Sequence, residues 1–179
     1  YNFLPGFNYI KELKKTPSKI DVFITLDSSD PDRLGENKNL LAISKTVINI
    51  DHHISNNNFG HINIVDSKAA ATGEIVFDFL KKINIDLDKS IAENLYVAIS
   101  TDTGSFKYES VTSKTHKIIS RLIEEGINIG KINIKLYENQ SLSRTRLFIK
   151  ALGDMTIHYD GKLALVKVTQ KMLEEMNAK

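Results

Sequence analysis

The sequence predicts an α/β fold built on a parallel sheet, and three apolar runs carry that reading. Residues 21–26 and 46–50 are apolar and rich in β-branched side chains, and read as buried strands. Residues 91–99 form a third run, readable as a buried helix or a strand. Each run ends in residues able to hold a metal: Asp27-Ser28-Ser29-Asp30, Asp51-His52-His53 and Ser100-Thr101-Asp102-Thr103-Gly104. Open parallel sheets bind ligands outside the carboxyl ends of their strands, so such ends would converge on one site. Asp51-His52-His53 is the sharpest signal, because these side chains at the end of a buried strand are costly unless paired or bound to metal.

The remaining elements follow in order. Residues 1–19, with Pro5-Gly6 and Pro17, read as a lead-in of loop and short helix. Pro31 favours a helix start, and residues 32–44 read as helical with a break near Gly35. Residues 55–60, with three consecutive asparagines, read as a loop, and 61–65 alternate as a short strand does. Ile75, Val76, Phe79 and Leu80 recur at helical spacing within 69–83, and 88–100 reads as a helix packed on the sheet. Thr112 opens another helix, with Ile118, Ile119, Leu122 and Ile123 on one face and Gly126 as C-cap. Residues 128–138 and 141–152 read as two more helices. After Gly153, residues 155–159 and 163–168 read as a β-hairpin, and 170–176 as a helix start.

Composition narrows the chemistry. The chain has 179 residues, 41% hydrophobic and 26% charged, as expected of a soluble globular protein. It has no cysteine, which excludes a disulfide framework, a thiolate metal site and a cysteine nucleophile. That absence agrees with a cytoplasmic location. No apolar run approaches the roughly 20 residues of a membrane span. The net charge of +2 gives no warrant for a long duplex-binding surface, although local basic groups can hold a few phosphates. The chain opens without an initiator Met or a signal pattern, so the expectation is a start inside a longer protein.

Asp27-Ser28-Ser29-Asp30, Asp51-His52-His53-Ile54-Ser55-Asn56 and Thr101-Asp102-Thr103-Gly104-Ser105-Phe106 resemble, in this order, three motifs of the DHH phosphoesterase family. That family includes RecJ-like exonucleases, nanoRNases and family II pyrophosphatases. Phe3-Leu4-Pro5-Gly6, Phe59-Gly60 and Ala71-Thr72-Gly73-Glu74-Ile75 look like its nanoRNase branch, the oligoribonucleases with pAp phosphatase activity. The resemblance implies a DHH domain over residues 1–139, a linker helix over 140–153 and the beginning of a DHHA1 domain over 154–179. The family's first motif, with its own His and Asp ligands, is absent, as is the glycine-rich substrate segment of DHHA1. The chain therefore looks truncated at both ends, with weak or no activity expected of it alone.

The resemblance also implies a chemistry. Family members hold two divalent cations, usually Mn²⁺, with Mg²⁺ and Co²⁺ as alternatives, and hydrolyse phosphoesters or phosphoanhydrides. Oxygen and imidazole ligands without thiolate suit Mn²⁺. Two ions about 3.5–4 Å apart stabilise attacking and leaving oxygens together. By motif correspondence Asp27 resembles the bridging ligand, and His52 and Asp102 resemble ligands of one ion. His53 resembles a phosphate-facing donor, and Asp51 an orienter of imidazole direction. The implied substrate is short RNA or a nucleotide, with no membrane partner and a homodimer as one assembly. A cyclic-dinucleotide phosphodiesterase, a pyrophosphatase and an inactive nucleotide-binding remnant are the alternatives. Taken alone, Asp27 and Asp30 beside Pro31 also read as caps for the following helix. His61, His116 and His158 take no role.

Overall fold

A computed structural model of the chain describes residues 1–178. The chain divides into two compact units, one over residues 1–129 and one from Gly130 onward. The first unit is built on three parallel strands, β1 (Ile20–Leu26), β2 (Ser44–Asp51) and β3 (Ile62–Val65), in that spatial order. Leu26 pairs with Ile50 and Ile50 with Ile64, so the strands end nearly level. The backbone N–H of Asp27 still donates to the Ile50 carbonyl, at 3.0 Å, which sets the ends of β1 and β2 side by side.

The connection between them departs from the expected helix. Pro31–Asn39 forms 3₁₀ turns kinked at Gly35, whose φ of 55° and ψ of −132° no helix tolerates. Only α1 (Leu40–Ile43) is α-helical, and Ser44 already belongs to β2, paired with Ile20. Pairing in the sheet thus claims one residue, Ser44, that helical pattern alone assigns to the helix. The break at Gly35 stands as read.

Three helices follow: α2 (Thr72–Lys82), α3 (Lys89–Asp102) and α4 (Ser113–Glu124). The run over 91–99, open between helix and strand in the sequence, is helical. Ala92, Leu95, Tyr96 and Ile99 are buried at helical spacing, and the Asp88 side chain caps the start by accepting from the Ile91 N–H at 2.7 Å. Ile50, Ala69 and Ile75 form a buried cluster, with Ile48, Ile64 and Val76 packed against it. Gly73 allows α2 to meet α3 closely, since a Cβ there would lie 3.0 Å from the Ile99 side chain. Thr112 and Thr115 form the capping box of α4, and Gly126 follows its end in the left-handed region, φ 76°.

From Gly130 onward the elements are the remainder of α5 (Ile129–Asn133), a π-helical turn (Ile134–Glu138), α6 (Leu142–Gly153), strands β4 (Thr156–His158) and β5 (Leu163–Leu165), and α7 (Gln170–Glu175). β4 and β5 pair antiparallel as the expected hairpin, around positive-φ residues Tyr159, Asp160 and Gly161.

Candidate metal centre

The ends of β1, β2 and α3 meet at one edge of the sheet. β1 stops because Asp27 adopts φ 58°, a left-handed conformation that Asp tolerates better than most residues. α3 stops after Asp102, where Gly104, Ser105 and Phe106 are all left-handed and turn the chain away. Gly104 suits this turn because its φ is 56°, where a Cβ is strained and would also press on the exposed Tyr108 ring at 2.5 Å. These terminations bring His52 Nε2 to 3.1 Å from Asp102 Oδ2 and 3.7 Å from Asp27 Oδ1. Asp27, His52 and His53 each offer a ligand atom within 4.8 Å of the others.

Hydrogen bonds fix what each ring presents. His52 Nδ1 faces the Ala69 carbonyl at 3.2 Å, and a carbonyl can only accept, so that nitrogen carries the hydrogen. In the protonated ring Nε2–H then donates to Asp102, whereas in the neutral ring Nε2 turns a lone pair toward carboxylate oxygens that also carry lone pairs. Such an arrangement could hold a cation between them, and its nitrogen and oxygen donors suit a borderline or hard divalent ion. His53 Nδ1–H donates to Asp51 Oδ1 at 2.7 Å, which leaves Nε2 on the exposed side of the ring.

Asp51 is fully buried and touches no solvent. Oδ1 also accepts from the His52 backbone N–H at 2.9 Å, and Oδ2 accepts from the Asn56 side chain. Burial pushes its carboxyl up, but the hydrogen bonds from His53 and Asn56 outweigh that and hold it below the usual range. Asp102 goes the other way. Burial raises its carboxyl, the Asp27 charge raises it further, and His52 only partly offsets both. A divalent ion held beside Asp102 would relieve that cost.

Sequence reasoning missed the residues that support this cluster. The Thr72 hydroxyl donates to Asp27 Oδ1 at 2.6 Å. Asn56 bridges Asn49 Oδ1, the Ser28 carbonyl and Asp51. Buried Asn49 in turn donates to Thr25 and to the Ser28 carbonyl, each at 3.0 Å, tying β1 to β2. The polar residue within β2 and the asparagine closing the turn after His53 were the available signals. The capping role falls on Asp30 and not on Asp27: Asp30 Oδ1 accepts from the Asp32 N–H at 2.7 Å. His61 accepts from the Val47 N–H at 2.9 Å, a structural bond. A cleft of about 430 Å³ opens beside Asp27 and Asp102, with Leu26, Val76, Leu95 and Ala98 among its walls.

Residues 3–99, more than half the chain, match the DHH family, N-terminal domain. The chain belongs to this family. It is 30% identical over 177 residues to the bifunctional oligoribonuclease and PAP phosphatase NrnA of Thermus thermophilus, covering 98% of this chain and 52% of that protein. It is 27% identical over 154 residues to the probable bifunctional oligoribonuclease and PAP phosphatase NrnA of Streptococcus mutans, covering 86% and 48%. The crystal structure of an exopolyphosphatase-related protein from Bacteroides fragilis superposes with a TM-score of 0.83 at 31% identity, over 89% of this chain and 48% of that one. The chain thus spans about half the length of the curated relatives it matches. No helix among the described residues is long and apolar enough to cross a membrane.

Proposed function

We propose that this DHH domain holds divalent metal, Mn²⁺ first among candidates, and serves a cytoplasmic phosphoesterase that hydrolyses short oligoribonucleotides and 3′-phosphoadenosine 5′-phosphate. The observation that carries the reading is the convergence of Asp102 Oδ2 and Asp27 Oδ1 on His52 Nε2, at 3.1 and 3.7 Å. The substrate class rests on relatives named for those two activities.

Each residue has a task. His52 and Asp102 would hold one ion. Asp27, half exposed and nearest the open side, would bridge to a second. Bound there, the ions supply an activated water and neutralise charge on the phosphoryl oxygens. Asp51 stays buried, orients the His53 imidazole through Nδ1 and fixes the main chain at His52 through its backbone N–H. A ring held in this way presents Nε2 of His53 toward substrate, and in the protonated ring the Nε2–H would donate to a phosphoryl oxygen or pass its proton to the leaving group. Thr72 keeps the Asp27 carboxylate in one rotamer.

The test pairs binding with turnover. Mn²⁺ titrated calorimetrically into this chain should bind, and His52→Ala should abolish the heat. In the protein that carries the whole activity, Asp27→Ala and Asp102→Ala should each reduce hydrolysis of a labelled RNA trinucleotide and of pAp to background. Substantial turnover in either variant overturns the assignment.

A further inference from the structure

Glu74 lies in the first turn of α2 and is 1% exposed, yet its Oε1 has no hydrogen-bond partner among the described residues. A carboxyl group buried in this way is unfavourable, and a native protein keeps one only where something offsets it. Its other oxygen, Oε2, accepts from the Ala70 N–H at 3.4 Å. The same peptide group presents its opposite end to the cluster described above: the Ala69 carbonyl is the acceptor for His52 Nδ1 at 3.2 Å. Ala69, Ala70 and Ala71 are all buried, so no solvent competes for either end of that peptide.

We propose that Glu74 is a positioning residue for His52, acting through the Ala69–Ala70 peptide. A peptide unit is a resonance-coupled donor and acceptor. An acceptor on its N–H increases electron density on its carbonyl oxygen, and hydrogen bonds in such a chain strengthen one another. The Ala69 carbonyl therefore holds the His52 Nδ1 hydrogen more firmly. The Nε2 lone pair is kept toward Asp27 and Asp102, with greater basicity as a ligand. This is a carboxyl–histidine pairing with one peptide interposed, and it does for His52 what Asp51 does directly for His53. The alternative is a helix cap: an acidic residue at this position commonly reaches back to a backbone N–H ahead of the helix. A cap works as well on a solvated surface, and a glutamine serves it equally. The near-complete burial and the shared peptide are what the capping role leaves unaccounted for.

The inference rests on the reading of His52 as a metal ligand, and two measurements separate the two ideas. The first is the ¹⁵N chemical shift of His52 Nδ1 and Nε2 at pH 8.5 in the metal-free chain, for wild type, Glu74→Gln and Glu74→Met. The second is Mn²⁺ affinity by calorimetry for the same three proteins, with Tm recorded for each. Glu74→Gln keeps an acceptor for Ala70, so its Tm should match or exceed wild type. Its His52 should nonetheless shift measurably away from the Nδ1–H form, and its Mn²⁺ affinity should fall about threefold. Glu74→Met should shift His52 further and weaken Mn²⁺ by roughly tenfold, the lower end for loss of an outer ligand partner. Wild-type His52 shifts in both variants overturn the relay, whatever happens to Tm, and leave Glu74 a cap. Absence of Mn²⁺ binding in wild type would count against the metal reading alone, because the tautomer measurement still decides the relay.

Discussion

The ends of β1 and β2 lie side by side in one sheet, yet they are held in opposite ways. At the end of β2, Asp51 is fully buried and accepts three hydrogen bonds within a few residues of itself. At the end of β1, Asp27 is half exposed, sits in a left-handed backbone conformation, and has one hydrogen-bonded side-chain partner, Thr72. β2 is flanked on both sides by β1 and β3, which buries its terminus. One end is therefore a rigid frame that sets imidazole direction, and the other a carboxylate with room to adjust.

Asp51→Ala should break the rigid end, and we expect it to give the largest loss. It leaves His53 Nδ1–H and the His52 N–H without their acceptor, while the Asn56 amide keeps Asn49 Oδ1 and the Ser28 carbonyl. Removing the buried acceptor of two such donors costs about 3 kcal/mol. Urea unfolding should show a lower midpoint at unchanged slope. Asp27→Asn, by contrast, should leave the midpoint near wild type and remove Mn²⁺ binding. Equal destabilisation of the two variants would dissolve the distinction between frame and adjustable ligand.

Thr72→Val sharpens the comparison at the flexible end. The substitution keeps shape and loses only the donor to Asp27 Oδ1. Mn²⁺ affinity should fall roughly tenfold, as for other partners of metal ligands. Stability should change by less than about 1 kcal/mol, because the carboxylate regains solvent. An unchanged affinity would mean that Asp27 needs no fixed rotamer.

The difference between the two ends also decides what could be read from sequence. Asp27, His52 and Asp102 were legible because each closes an apolar run, and a strand or helix end is a local feature. Thr72 was not, since it meets Asp27 across 45 residues through the placement of α2. Asn49 reads as one polar residue in an apolar strand. It is buried because β1 sets Thr25 opposite it and the turn after β1 brings up the Ser28 carbonyl. The hairpin of β4 and β5 was legible from its turn residues even though every residue of both strands is exposed. Residues 32–44 are helical as far as Ile43, with the break at Gly35 as read, but residue spacing alone does not distinguish 3₁₀ turns from an α-helix. Local punctuation survives in sequence; contacts made by tertiary placement do not.

Asp102→Asn should give the smallest effect on stability, with the opposite sign to Asp51→Ala. Burial and the Asp27 charge hold the Asp102 carboxyl above its unfolded value, so the folded protein binds that proton more tightly than the unfolded chain does. Keeping it ionised at neutral pH therefore costs stability. The cost is absent below the unfolded value and grows as pH rises through the folded one. An asparagine has no charge to bury and can still donate to His52 Nε2. The metal-free variant should have a slightly higher Tm than wild type at pH 7, and the gap should close as the pH falls through the acid range. The gain stays small because the Asp102 side chain is 39% exposed. Mn²⁺ should reverse the ranking, raising the Tm of wild type and not of the variant, since only the wild type binds it. A variant less stable than wild type in the absence of metal would show that the Asp102 carboxylate is paired well enough with His52 to need no ion.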